Sequence, residues 1–157
     1  MKAASLAELK KELQELEPSQ LAELCINLAK YKKDNKEYLG YLIFESHDKE
    51  TFISEIKKEM DVLFKEMEPQ QNLYYAKKGL RRILRIVNKY IKYIGEKTSA
   101  AELLIYFCIK MKALNLPIHK SVQLSNLYEG QLKKTNSHIK TMHEDLQYDY
   151  LKELENL

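Results

Sequence analysis

From Pro69 to Gly95 the chain carries seven cations and no acidic residue. At 100° per residue, Lys77, Arg81, Lys92, Arg85, Lys78, Lys89 and Arg82 share one helical arc of roughly 140°. Leu73, Ala76, Leu80, Ile83, Leu84, Val87, Tyr90, Ile91 and Ile94 take the arc that faces away. A 3.6-residue period held this long excludes a strand. It predicts a long amphipathic helix with one face to bury and a basic stripe to present.

The neighbouring sequence is punctuated the same way. Ser5 with Glu8 is a capping-box pattern ahead of Leu6, Leu9, Leu13 and Leu16. Pro18-Ser19 ends that helix and caps the next, which is expected to bury Leu21, Leu24, Cys25 and Leu28. Asp34 with Glu37 repeats the box and opens a third helix through Tyr38-Leu39-Gly40-Tyr41-Leu42-Ile43-Phe44. Asp48 caps a fourth, with Phe52, Ile53, Ile56, Met60, Leu63, Phe64 and Met67 at helical spacing. Pro69 suits the start of the basic helix, where a missing N–H costs nothing, and Gly95 suits its end.

A sixth helix, read as capped by Ser99 with Glu102, is different in kind. Tyr106 aside, Glu102, Lys110, Lys112 and Asn115 are its polar residues between Ala100 and Leu116, and Pro117 closes it. A helix apolar nearly all round must be surrounded, so it is expected at the centre of the core. Residues 121–157 read as one interrupted or two consecutive helices, with Gly130 and Thr135-Asn136-Ser137 as candidate breaks. Ile139, Met142, Leu146, Tyr150 and Leu154 form a narrow stripe, suited to docking on the same domain or to pairing with a second copy.

Only four Gly and three Pro occur, and no strand or hairpin pattern is present. The expected fold is all-α: seven to eight helices in a compact bundle, or a short stack of helical hairpins, as a single domain over residues 1–157. Ala22-Glu23-Leu24 and Ala101-Glu102-Leu103 each follow a serine and begin an apolar helix, an echo too short to establish a repeat. Met1 to Leu13 lacks an apolar signal core, and the apolar run Leu103–Ile109 is far below the ~20 residues of a membrane span. A cytoplasmic protein with no membrane partner is expected.

The motif Leu6-x-x-Leu9-Lys10-Lys11-x-Leu13, then Leu21-x-x-Leu24, then Lys36-Glu37-Tyr38-Leu39, resembles the opening of small all-helical bacterial proteins to which no activity is assigned. It spans at most the N-terminal third. The resemblance implies a helical fold and no catalytic residue.

The net charge of +3 hides an asymmetry: the segment 69–95 carries +7 and leaves −4 for the rest. The candidate binding residues are therefore Lys77, Lys78, Arg81, Arg82, Arg85, Lys89 and Lys92, with Tyr74, Tyr75 and Tyr93 beside them. Cations neutralise phosphates and aromatic rings stack on bases, which is the chemistry of nucleic-acid binding. Two other fates are open to the stripe. It can be solvated, or paired with the acids of segment 48–68 and of Glu144, Asp145, Asp149, Glu153 and Glu155; or it can meet an acidic protein partner.

No other constellation points to chemistry. Cys25 and Cys108 lie in apolar patterns without CxxC spacing and are expected as buried thiols. His138 and His143 are five apart, not the four that a zinc-binding helix needs, and no Glu-x-x-His occurs. Tyr38, Tyr41, Tyr90 and Tyr106 fall on apolar faces as core aromatics, while Tyr148 and Tyr150 flank the C-terminal stripe. The expectation is a non-enzymatic binding protein with no cofactor. Its partner is a protein, a second copy of itself, or nucleic acid; an enzyme with a site assembled from distant residues is the remaining alternative.

Overall fold

The computed structural model describes residues 3–67 and 72–157. Every regular element among them is helical, and the fold is all-α. The chain divides into two compact units, Met1–Ser46 and His47–Leu157, where the sequence suggested one domain.

The first unit holds α1 (Leu6–Gln14), α2 (Pro18–Tyr31) and α3 (Lys33–Gly40), which continues as a π-turn over Tyr41–Glu45. The Ser5–Glu8 capping box forms as expected: Glu8 accepts from the Ser5 backbone at 2.7 Å. At α2 the cap is Glu17 rather than Ser19, with Pro18 at the first helical position and Gln20 Oε1 accepting from the Glu17 N–H at 3.0 Å. Helix α3 begins at Lys33, one residue before the expected Asp34 cap, so Asp34 lies in its first turn, where an acid favours the helix dipole. Ser46 N–H closes the π-turn on Tyr41 O at 2.9 Å.

Burial in this unit is thin. Tyr41 is its one buried side chain among the described residues, and Tyr38 stacks on it at 6.5 Å while staying partly exposed. Leu24, Cys25 and Leu28, expected inside, are exposed, and Leu21 is half-buried. A three-helix piece of this size has too little interior to cover every apolar stripe it carries.

The second unit holds α4 (Lys49–Met67), α5 (Leu73–Ile94), α6 (Lys97–Ala113), a 3-10 turn (Ile118–Lys120), α7 (Val122–Ile139) and α8 (Glu144–Glu155). Helix α6 is its centre, packed by α4, α5, α7 and α8. Leu103, Leu104, Phe107, Cys108 and Met111 are buried, as are Ala100, Ala101 and Ile105. The helix starts at Lys97, three residues earlier than the expected Ala100, and Ser99 is buried inside it instead of capping it. Glu102 turns outward to Lys57 at 2.6 Å and so does not box back onto the helix start.

The remaining boundaries follow local chemistry. Asp48 caps α4 by accepting from Thr51 N–H at 3.1 Å. Asn72 caps α5, accepting from Tyr74 N–H at 2.9 Å, and Gly95 ends it in the left-handed region at φ 72°. The expected start at Pro69 lies outside the described residues. Helix α7 runs through Gly130 and through Thr135-Asn136-Ser137 without a break. Thr135 is buried and returns its hydroxyl to Gln131 O at 2.8 Å, a bond available only to an intact helix. The break comes after Ile139, and His143 Nδ1 caps α8 by accepting from Asp145 N–H at 3.4 Å. The C-terminal stripe docks within the unit: Ile139 is buried, Met142, Tyr150 and Leu154 are half-buried, and Leu146 stays exposed.

Two outcomes follow. Phe107→Ala, which opens a cavity beside Phe64 (ring centroids 5.6 Å apart), is expected to lower stability by ~3–5 kcal/mol in urea or thermal unfolding. His138 has a buried Nε2 with no hydrogen-bond partner among the described residues; burial, then Lys134 and Lys97, push its pKa below the ordinary 6.5. The unfolded chain therefore takes up this proton first, so stability is full above the unfolded pKa and falls as pH drops from there towards the folded pKa. Thermal melts between pH 7.5 and 5 should show this loss, and His138→Gln should reduce it.

Candidate nucleic-acid interface

Helix α5 is set in rotation by what it buries. Ala76, Leu80, Ile83, Val87 and Ile94 are buried where α4 and α6 pack. Gly79 is explained by the same packing. A Cβ there would meet Met67 Sδ at 2.7 Å, so the missing side chain lets the end of α4 close on α5. With that face fixed, the opposite arc turns outward.

Lys78, Arg81, Arg82, Arg85 and Lys92 are exposed, and none of them forms a salt bridge among the described residues. Tyr74 and Tyr75 are 63% and 56% exposed. The other three candidates are drawn inward. Lys77 donates to Gln123 of α7 and stands 5.7 Å from the Tyr74 ring centroid. Lys89 is half-buried with its ammonium 5.1 Å from the Tyr90 ring, and Tyr93 meets the same ring edge-on at 6.1 Å. Tyr90 in turn packs on Phe52 and donates its hydroxyl to Glu59 at 2.9 Å. Seven of the ten candidate residues therefore share the open face (the five cations with Tyr74 and Tyr75), and three belong to its edges.

Among the described residues, no acid of segment 48–68 or of the C-terminal segment forms a salt bridge with the five exposed cations. Asp61 pairs with Lys110 at 2.6 Å and accepts from Tyr106 at 2.7 Å. Desolvation opposes ionisation of Asp61, but those two hydrogen bonds hold its carboxyl below the usual aspartate range. Glu102 pairs with Lys57, and Glu96 with Lys49. Of the acids of α4, Asp61 thus serves α6 and Glu59 accepts from Tyr90 on the flank of α5.

Positive charge also spreads to residues that spacing did not reveal. Lys134 of α7 donates to Asn88 at 2.5 Å; desolvation of its ammonium, then Lys92, lower its pKa. Lys134 comes from another helix, so no pattern in the sequence joins it to the stripe. Two open grooves flank the central ridge of Lys78 and Arg85. One, of about 610 Å³, includes Tyr74, Lys77, Arg81 and Asn88; the other, of about 290 Å³, includes Tyr75, Gly79 and Arg82.

Elsewhere the geometry is less suggestive. A groove of about 610 Å³ among α4, α6 and α8 contains Tyr106, Tyr150 and Glu153, but the Lys57–Glu102 pair inside it is already closed. Burial pushes the Cys108 thiol up to about 12, which keeps it protonated and unreactive at neutral pH. Among the described residues, no group of three or more His, Cys, Asp or Glu is placed to hold a metal ion, and no helix is long and apolar enough to cross a membrane. No family model matches this chain, and no curated protein or solved structure is similar to it.

Because the exposed arginines form no salt bridge among the described residues, replacing Arg81, Arg82 and Arg85 together with Ala should change unfolding free energy by no more than about 0.5 kcal/mol per site. Leu80→Ala on the opposite face should cost ~2–5 kcal/mol. Parallel urea melts compare the two; a large loss in the arginine variant would mean that the stripe is structural.

Proposed function

We propose that the protein acts by binding, not by catalysis, and that its working surface is the basic face of α5, which engages the phosphates of nucleic acids. The observation that carries this reading is the set of five exposed cations that meet no acid among the described residues. From Lys78 to Lys92 they extend over ~21 Å at 1.5 Å per residue, about six nucleotide steps of one B-form strand. Arginine adds planar, bidentate contacts to phosphate oxygens. A straight row of cations reads backbone charge rather than base identity, so little sequence preference is expected. The cytoplasm, where nucleic acid is present and free thiols persist, is the compartment proposed.

A protein partner is the second reading, supported by the first unit. Leu6, Leu28, Ile43 and Phe44 are all more than half exposed there, and the last two follow each other on the π-turn. Scattered surface leucines are ordinary, whereas adjacent exposed apolar residues favour an interface.

Fluorescence anisotropy with labelled single- and double-stranded oligonucleotides tests the first reading. Binding at low salt should weaken steeply as salt rises, with a log–log slope near −4 to −5 on duplex and about −3.5 on single strands for five phosphate contacts. Arg81/Arg82/Arg85→Glu, checked for folding, should bind at least tenfold more weakly. Absence of binding to either form, or equal binding by both proteins, would overturn the proposal and leave the protein-partner reading.

A further inference from the structure

We infer that the α5 face is built for single-stranded nucleic acid, with Tyr74 and Tyr75 as stacking platforms for unpaired bases; the inference rests on the phosphate-binding reading of the same face.

The two tyrosines are placed in a way that charge binding alone does not require. They open α5 side by side, their rings 5.4 Å apart and nearly perpendicular at 82°. Consecutive helical residues diverge by 100°, so the rings fall on opposite flanks of the Lys78–Arg85 ridge, one in each groove. Each is followed two turns later by an arginine on its own flank: Arg81 after Tyr74, and Arg82 after Tyr75. The surface thus has two parallel tracks, each with an aromatic ring and a guanidinium ~10.5 Å apart, and a cationic ridge between them.

Both rings stand more than half exposed, whereas every other apolar or aromatic side chain of α5 is buried or half-buried. Neither phenol is hydrogen-bonded to another described residue; the contacts of these rings are with each other and with the Lys77 ammonium beside Tyr74. An exposed aromatic face gains free energy only when something flat and apolar covers it. Bases provide that surface, and the Lys77 ammonium 5.7 Å from the Tyr74 centroid further polarises the ring. In a duplex the base faces are already stacked on one another and present only their edges. A single strand offers both parts: phosphates for Lys78, Arg81, Arg82 and Arg85, and free bases for the two grooves. The arginine planes also accept stacked bases.

The chain has no tryptophan, so Tyr75→Trp introduces a unique fluorophore at the proposed platform. The full chain carrying it is titrated with oligo(dT), oligo(U), a duplex of equal length and heparin, a polyanion without bases. The expected result is tryptophan quenching by oligo(dT) or oligo(U) and none by heparin. At matched salt, affinity for the better single strand should be about tenfold or more above that for duplex. The relative response to oligo(dT) and oligo(U) distinguishes DNA from RNA as the preferred strand. Tyr74→Ala and Tyr75→Ala should each weaken single-strand binding roughly 5- to 100-fold with an unchanged salt slope, while Tyr74→Phe and Tyr75→Phe retain it. Binding to all four polymers with no quenching and no effect of the alanine variants overturns the stacking inference but leaves phosphate binding standing. Failure to bind any of the four removes both.

Discussion

The burial of α6 sets the terms for the second unit. Leu103, Leu104, Ile105, Phe107, Cys108 and Met111 cover an arc of roughly 200° of the helix, so neighbours are required on more than one side, while exposed Ile109 lies on the remaining arc. The few polar groups on α6 must then be answered by those neighbours. Lys110 and Tyr106 find Asp61, Glu102 finds Lys57, and Lys112 donates to the Leu157 carbonyl at 2.6 Å. Tyr106 also lies 5.3 Å from the ammonium of Lys57 and, on its other partner, 5.3 Å from that of Lys110. Helix α4 supplies most of these partners, and its carboxylates are oriented accordingly.

That orientation has an electrostatic consequence for α5. An acidic helix packed beside a basic one ordinarily offers neutralisation across the seam. Here Asp61 and Glu59 are engaged by α6 and by Tyr90, and the outer arc of α5 faces away from both. Among the described residues, the five exposed cations of the stripe therefore have no ion-pair partner. Lys92 and Lys134 are then close enough for repulsion to lower the Lys134 pKa, and the same field acts on His138 through Lys134 and Lys97. A fold tolerates such crowding at a surface when solvent screens it, and an anionic ligand would relieve it.

The first unit follows a different balance. Its helices begin with well-formed local signals, yet α1 carries Leu6, Leu9 and Leu13 on a stripe that remains exposed. Local capping decides where a helix starts; it says nothing about what covers the finished face. The π-turn at Tyr41–Glu45 sharpens the contrast, because it turns Tyr41 inward while leaving Leu42, Ile43 and Phe44 exposed.

The amino-acid sequence by itself determined what depends on periodicity and on contacts three or four residues apart: the all-α class, the central helix, the amphipathic α5, the caps at Ser5 and Asp48 and the stop at Gly95. Those signals are local, so one strand of text contains them. Where the reading missed, a longer-range contact had prevailed. Ser99 is buried by packing on α6, and Glu102 is drawn to Lys57, 45 residues away. Cys25 is exposed, on the edge of an open groove it shares with Tyr38 and Leu39 of α3. The candidate site divides along the same line. Its cations and tyrosines were visible as one arc of a helix, but which of them would lack an ion-pair partner among the described residues was not. That depends on tertiary structure, which brought Asp61 to Lys110 across 49 residues, and Lys134 to Asn88 and Lys77 to Gln123 across 46. Periodicity fixes which face a residue occupies; only packing fixes what stands opposite it.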